Sequence, residues 1–190
     1  MNVHTWIETD LQSVRSKFWD SVLSVVPRQR WVDQVDDGGS SITHLLLHVA
    51  RHQDLAVTTA IRNQEPLFAA HRAALGLGDA TSSVGLPERE DPATSRAVAI
   101  DPLLAYLQTV FDATSAWLAD VGTLALDTVP DTGERLATKA DLSVDEVDWL
   151  HRMWSDKPVW WLVQWPVIGH GHAHVGEAIS VRNRMGLSPF

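Results

Sequence analysis

Four stretches of the chain repeat apolar residues at steps of three and four, which constrains the fold more than any other feature of the sequence. That spacing lines one face of an α-helix but no single face of a strand. In the first stretch, Ile7, Leu11, Val14, Phe18, Val22 and Val25 predict a helix near residues 3–26, with Pro27 just beyond. Ser40 or Ser41 can cap a second near 41–63, where Ile42, Leu45, His48, Val49, His52 and Ala56 share a stripe. Asp101 and Pro102 read as the cap and first turn of a third near 101–121, built on Leu103, Leu104, Leu107, Val110, Phe111 and Leu118 and closed by Gly122. A fourth is expected near 166–185 and stopped by Gly186, although Gly169, Gly171 and Gly176 lower its helix propensity. The expected fold class is therefore all-α: one domain over residues 1–190, an antiparallel, up-down-up-down-like four-helix bundle with long loops between helices 2 and 3 and between helices 3 and 4.

Residues 65–100 read as loop with a short helix around 67–75, a length typical of lids and binding loops. Residues 127–165 read as a second connection, with a short helix opened by Ser143, whose spacing to Glu146 fits a capping box. The run VWWLVQW, residues 159–165, is the one competitor for a strand.

A chain of 190 residues can bury a sizeable single core. Its net charge of -9, from 15 Lys+Arg against 24 Asp+Glu without a basic run, argues against nucleic acid as a partner. The chain has no cysteine, so disulfides, thiolate ligands and a Cys nucleophile are excluded together, and any thiol chemistry needs a thiol from outside. No stretch approaches the roughly 18 apolar residues of a membrane span, and the first residues carry Glu8 and Asp10 where a signal peptide has a basic patch. The expectation is a cytoplasmic protein with no membrane partner. There are nine Trp against one Tyr and four Phe, and Trp149, Trp154, Trp160, Trp161 and Trp165 crowd before the densest histidine cluster. They read either as core filler or as the aromatic wall of a small-molecule pocket.

That cluster is VIGHGHAHVGE. On a helix, His170 and His174 lie one turn apart and can converge on one ion, while His172 points elsewhere. On a strand all three would share a face. Two imidazoles rarely make a protected site, and catalytic zinc commonly takes three protein ligands. The second helix offers His44, His48 and His52, of which His48, within LLLHVA, sits in the most apolar setting and most needs a partner. The metal-ligand set is thus His48, His170 and His174, for a divalent transition metal, with Zn or Ni favoured by neutral imidazoles. Glu177, one turn after His174, is the candidate to orient a ligand or act as a general base, against the ordinary alternative of a solvent-facing Glu. HGHAH matches the start of the HxHxDH signature of binuclear metallohydrolases, but Val175 stands where that signature continues. The chain contains no HExxH, GxSxG, P-loop or GxGxxG.

Two segments, SSITHLLLHVARHQD and HGHAHVGEAISVRNRMG, resemble the DinB-like, damage-inducible four-helix-bundle family, which is related to S-transferases that use mycothiol or bacillithiol. His48 matches the family's first ligand, and His170 and His174 match its H-x3-H pair. Ala173 and Glu177 depart from the His and Gln often found there. The resemblance implies a three-histidine Zn or Ni site, frequent homodimers and, in some relatives, activation of a low-molecular-weight thiol. Three functional readings follow: a thiol transferase acting on a small electrophile, a non-catalytic metal-binding stress protein, and a metal-dependent hydrolase using the same site.

Overall fold

In the computed structural model, which describes residues 2–35 and 38–189, the chain is all-helical, and no strand occurs among the described residues. The helices are α1 (Val3–Phe18), α2 (Ile42–Asp54), α3 (Phe68–His71), α4 (Pro92–Ala97), α5 (Ile100–Asp120), α6 (Thr132–Ala140), α7 (Val144–Trp154), α8 (Val159–Leu162) and α9 (His170–Arg182). Helices α1 and α2 each run on into a wider π-type turn, Trp19–Leu23 and Leu55–Ile61, so the first two predicted helices have nearly the expected span. Ser41 caps α2 by accepting from the His44 amide at 3.2 Å.

The contacts that position the site link four elements. Helix α1 packs on α5 and α9, and α2 packs on the same two. Ile7, Leu11, Val14 and Phe18 of α1 meet Leu103, Leu107, Val110 and Phe111 of α5 in one buried apolar cluster, where full burial of such a side chain contributes about 1.5–3 kcal/mol. Helix α2 is buried along its whole length rather than along a stripe. Several of its polar residues find buried partners: Gln53 donates to Thr114 Oγ1 at 2.9 Å, and Asp54 accepts from the amides of Leu67 and Phe68 and from the Tyr106 hydroxyl at 2.8–3.0 Å. Gly171 lies where α9 crosses α1. A Cβ at that position would stand 2.9 Å from Val14 Cγ1, so a glycine that weakens the helix locally permits the close crossing.

Several expectations are corrected. VWWLVQW is helical: the fourth helix begins at Val159, and its segment Val163–Gly169 is a π-type turn containing Pro166. Proline has no amide hydrogen and its ring crowds the carbonyl four residues back in an α-helix, and the wider turn accommodates both. The long connection expected between helices 3 and 4 holds, besides the expected helix opened by Ser143, α7, a second helix, α6. Arg135 of α6 donates to the carbonyls of Ala60 and Ile61 at 2.7 and 3.0 Å, closing the end of the second helix, a long-range contact that local spacing does not reveal. Ser143 opens α7 without a side-chain capping bond. Asp101 lies in the first turn of α5 rather than at its cap, which is Ala99, and pairs with Arg28. Residues 65–100 contain α4 as well as the expected short helix α3. No helix among the described residues is long and apolar enough to cross a membrane.

Candidate metal centre

The buried face of α2 carries His44, His48, Arg51 and His52, and a strap of chain, residues 82–90, lies across it. Each of these contacts uses a donor on α2 and an acceptor on the strap. His48 Nδ1 donates to the Gly85 carbonyl at 2.9 Å and His52 Nε2 to the Leu86 carbonyl at 3.1 Å. Arg51 donates to the carbonyls of Val84 and Ser82 at 3.2 and 2.6 Å, and the Glu90 carboxylate accepts from the amide and hydroxyl of Ser41 at 2.5 and 2.8 Å. Gly85 has φ +78, and a Cβ there would stand 2.9 Å from Leu47 Cγ, so only glycine lets the strap approach this closely.

These bonds decide the tautomers. A carbonyl only accepts, so His48 carries its proton on Nδ1 and, when neutral, turns a bare Nε2 lone pair inward. His174 Nδ1 lies 2.9 Å from the Glu177 carboxylate, which its hydrogen bonds with His174 and then Ser40 hold below the usual carboxylate range; the Nε2 of His174 is therefore likewise bare. Both lone pairs meet the Nε2 of His170, at 3.1 Å from His48 and 3.0 Å from His174. A single N–H on His170 can satisfy only one of them. A cation shared by all three resolves the conflict: tetrahedral ligands about 2.0–2.1 Å from zinc stand about 3.3 Å apart, close to the spacing present. The donor set, three imidazoles, also suits such an ion.

The fourth side is closed by Glu88, which the sequence reading did not single out. Its Oε1 is 3.6 Å from His48 Nε2 and 3.8 Å from His170 Nε2, and its Oε2 is 3.8 Å from His174 Nε2. The ligand atoms of His48, Glu88, His170 and His174 all lie within 4.8 Å of one another, a group that fits a metal ion. The three imidazole side chains are at most 9% exposed, whereas Glu88 is 71% exposed. An exposed carboxyl is ionised at neutral pH, and hydrogen bonding to His170 foremost holds that of Glu88 below its ordinary range, so the closing group is an anion.

Of the other histidines, His52 is a neighbour of the centre. Its ring centroid is 4.5 Å from those of both His48 and His170, and burial, then the adjacent His48, hold its pKa well below that of a free imidazole. His44 stacks on His48 at 5.5 Å and is lowered in the same way. His172 stands outside the cluster, half-buried, as the helical spacing predicts. Glu177, partly exposed, has its carboxylate on His174 Nδ1, from where it can orient that ring. His170 Nδ1 is buried without a hydrogen-bond partner among the described residues, so, unlike His48 and His174, this ring is not oriented through its Nδ1. The tryptophans divide: Trp149 and Trp154 lie 5.9 and 6.1 Å from the His52 ring and Trp165 lies 6.3 Å from His170, while Trp160 is exposed and lines an apolar groove with Trp6. Beside the strap is a cavity of about 340 Å³, lined by His44, Leu47, Gly85, Pro87, Arg89 and Thr94 among others.

No protein-family model matches this chain, and no curated protein matches it. A solved structure described as the conserved protein of locus from Enterococcus faecalis is similar in fold, with a TM-score of 0.70 over 98% of this chain and 99% of that one, at 19% identity.

Proposed function

We propose that the protein binds one divalent transition-metal ion through His48, His170 and His174 and uses it to activate a low-molecular-weight thiol for attack on a small electrophile. The observation that supports this most directly is the convergence of the three Nε2 atoms, two of them fixed as bare lone pairs by acceptors on the far side of the ring. The ring of contacts among α1, α2, α5 and α9 is read as the antiparallel four-helix bundle of the DinB-like family, whose metal sites come from inward-facing side chains.

When bound, the ion supplies the positive charge that keeps a thiol in its reactive thiolate form. The chain's own groups do the rest. His48 and His174 are oriented by Gly85 and Glu177, the rings of His52 and Trp165 pack about His170, and the cavity beside the strap is of a size to receive the body of a small molecule. The absence of cysteine leaves the thiol to come from solution. Glu88 supports a second reading: a carboxylate in the fourth position suits an ion held without catalysis.

The test is metal-loaded protein incubated with mycothiol, bacillithiol or glutathione and a reactive electrophile, with His48→Ala as control. Conjugation faster than in the control is expected. A rate equal to the control for every thiol would reject the transferase in favour of a non-catalytic metal-binding protein or, if ester or amide substrates are cleaved, a metal-dependent hydrolase.

A further inference from the structure

We infer that Glu88 is the exchangeable ligand of the centre: a carboxylate that closes the fourth position at rest and swings aside when a small monoanionic donor takes its place. The inference rests on the three-histidine site proposed above and adds what that site exchanges, and where.

The observation that carries it is a contrast in how the donors are held. The strap is pinned on both sides of Glu88, by the Gly85 and Leu86 carbonyls before it and by the Glu90 carboxylate on Ser41 after it. Its backbone is therefore fixed. The Glu88 side chain, 71% exposed, is free to rotate about its own bonds into solvent without breaking any of those contacts. The histidine ligands have no such freedom: they are buried on helices, and withdrawing His48 or His174 would also break its Nδ1 hydrogen bond. Exchange at Glu88 thus disturbs the least structure.

Charge selects the class of incoming ligand. Three neutral imidazoles leave a dication with its full charge, and Glu88 lowers the sum by one. A monoanion replacing Glu88 preserves that sum, whereas a neutral donor would leave both charges of the ion against three buried, neutral imidazoles with no anion coordinated. Thiolates fit this class, as do small anions such as azide. In the exchange one carboxylate bond to the ion breaks and one donor bond forms. A thiol enters as thiolate with its proton released to solvent, and no electrons are transferred.

The experiment loads wild-type, Glu88→Gln, Glu88→Ala and His48→Ala proteins with Co²⁺, follows the visible absorption spectrum, measures Co²⁺ affinity by chelator competition, and titrates each with azide. Circular dichroism checks folding, which an exposed side chain should leave intact. Both Glu88 variants are expected to keep Co²⁺ with an altered spectrum and to bind azide about tenfold more tightly than wild type, since azide no longer displaces a carboxylate. An unchanged spectrum and azide affinity in the variants would overturn the assignment of Glu88 as a ligand. Loss of Co²⁺ from folded Glu88→Ala, comparable to that in His48→Ala, would make Glu88 a permanent ligand and overturn exchange. Failure of wild type to bind Co²⁺ more tightly than His48→Ala would instead strike the three-histidine reading itself.

Discussion

His48, His170 and His174 stand on helices, buried, with two of the three rings oriented through Nδ1; Glu88 stands on an irregular strap with most of its side chain in water. The helical donors are placed by local periodicity and cannot leave without disturbing the core. The strap donor is placed by long-range hydrogen bonds to α2 and can leave alone. A centre built this way separates holding an ion from exchanging what binds it, and the two tasks can be perturbed independently.

The largest effect should come from the helical side. Replacing His48, His170 or His174 by Ala should each weaken ion binding by about 2.5–4 kcal/mol, if the roughly 10–16 kcal/mol of a four-ligand structural zinc is shared evenly. Elemental analysis after dialysis reads this directly, and full retention in any one variant would remove that residue from the ligand set.

Gly85→Ala tests the strap. A residue with a side chain at φ +78 costs about 1–2 kcal/mol, and the 2.9 Å approach to Leu47 adds about 1–3 kcal/mol of overpacking. Urea unfolding should show the loss. Faster amide exchange confined to residues 82–90 should accompany it. If exchange rises equally along α9, the two sides of the centre are not separable.

Glu177→Ala should lower metal affinity about 10–100-fold by freeing the His174 ring, with little change in unfolding midpoint. Chelator competition decides it, and Glu177→Gln, which retains an acceptor, should recover part of the loss.

Acidity gives a smaller effect of fixed sign. Burial lowers the pKa values of His52, His44 and His170 below 6.5, so the unfolded chain binds protons that the folded chain refuses. The metal-free protein should therefore lose stability as pH falls through 6.5, seen as a lower urea midpoint at pH 5.5 than at pH 7.5. Glu88 acts oppositely placed on the scale: its carboxyl is lowered from 4.5, so its contribution is present throughout that window and is lost only in more acidic solution. A flat profile between pH 7.5 and 5.5 would mean that the histidine cluster relaxes to admit protons. Smallest of all, His172→Ala should leave metal content unchanged; a loss there would place it among the ligands.

Much of the helical side was legible from spacing. Three- and four-residue steps located α1, α2 and α5, and the i, i+4 rule paired His170 with His174 and set His172 apart. The strap side was not. Glu88 is 40 residues from His48 along the chain, in a stretch without periodicity, and what places it is a set of carbonyls that carry no side-chain signature. The available clue was on α2: His44, His48, Arg51 and His52 on a buried helix need acceptors, and the long segment after it was the nearest source. The helix α6 escaped for a related reason, since it is short and stabilised by packing on the end of the second helix rather than by a long stripe of its own, whereas α7 was signalled by Ser143.

The wide turn at Val163–Gly169 has a further consequence, for how this chain can be aligned with others. A π-type turn holds surplus residues within a helix whose axis continues, so a chain one residue shorter there can run through as ordinary α-helix with the two histidines in the same seat. A one-residue deletion between VWWL and His170 would thus be absorbed before it reaches the centre, and the gap it left in an alignment would fall beside the motif on which such an alignment is anchored.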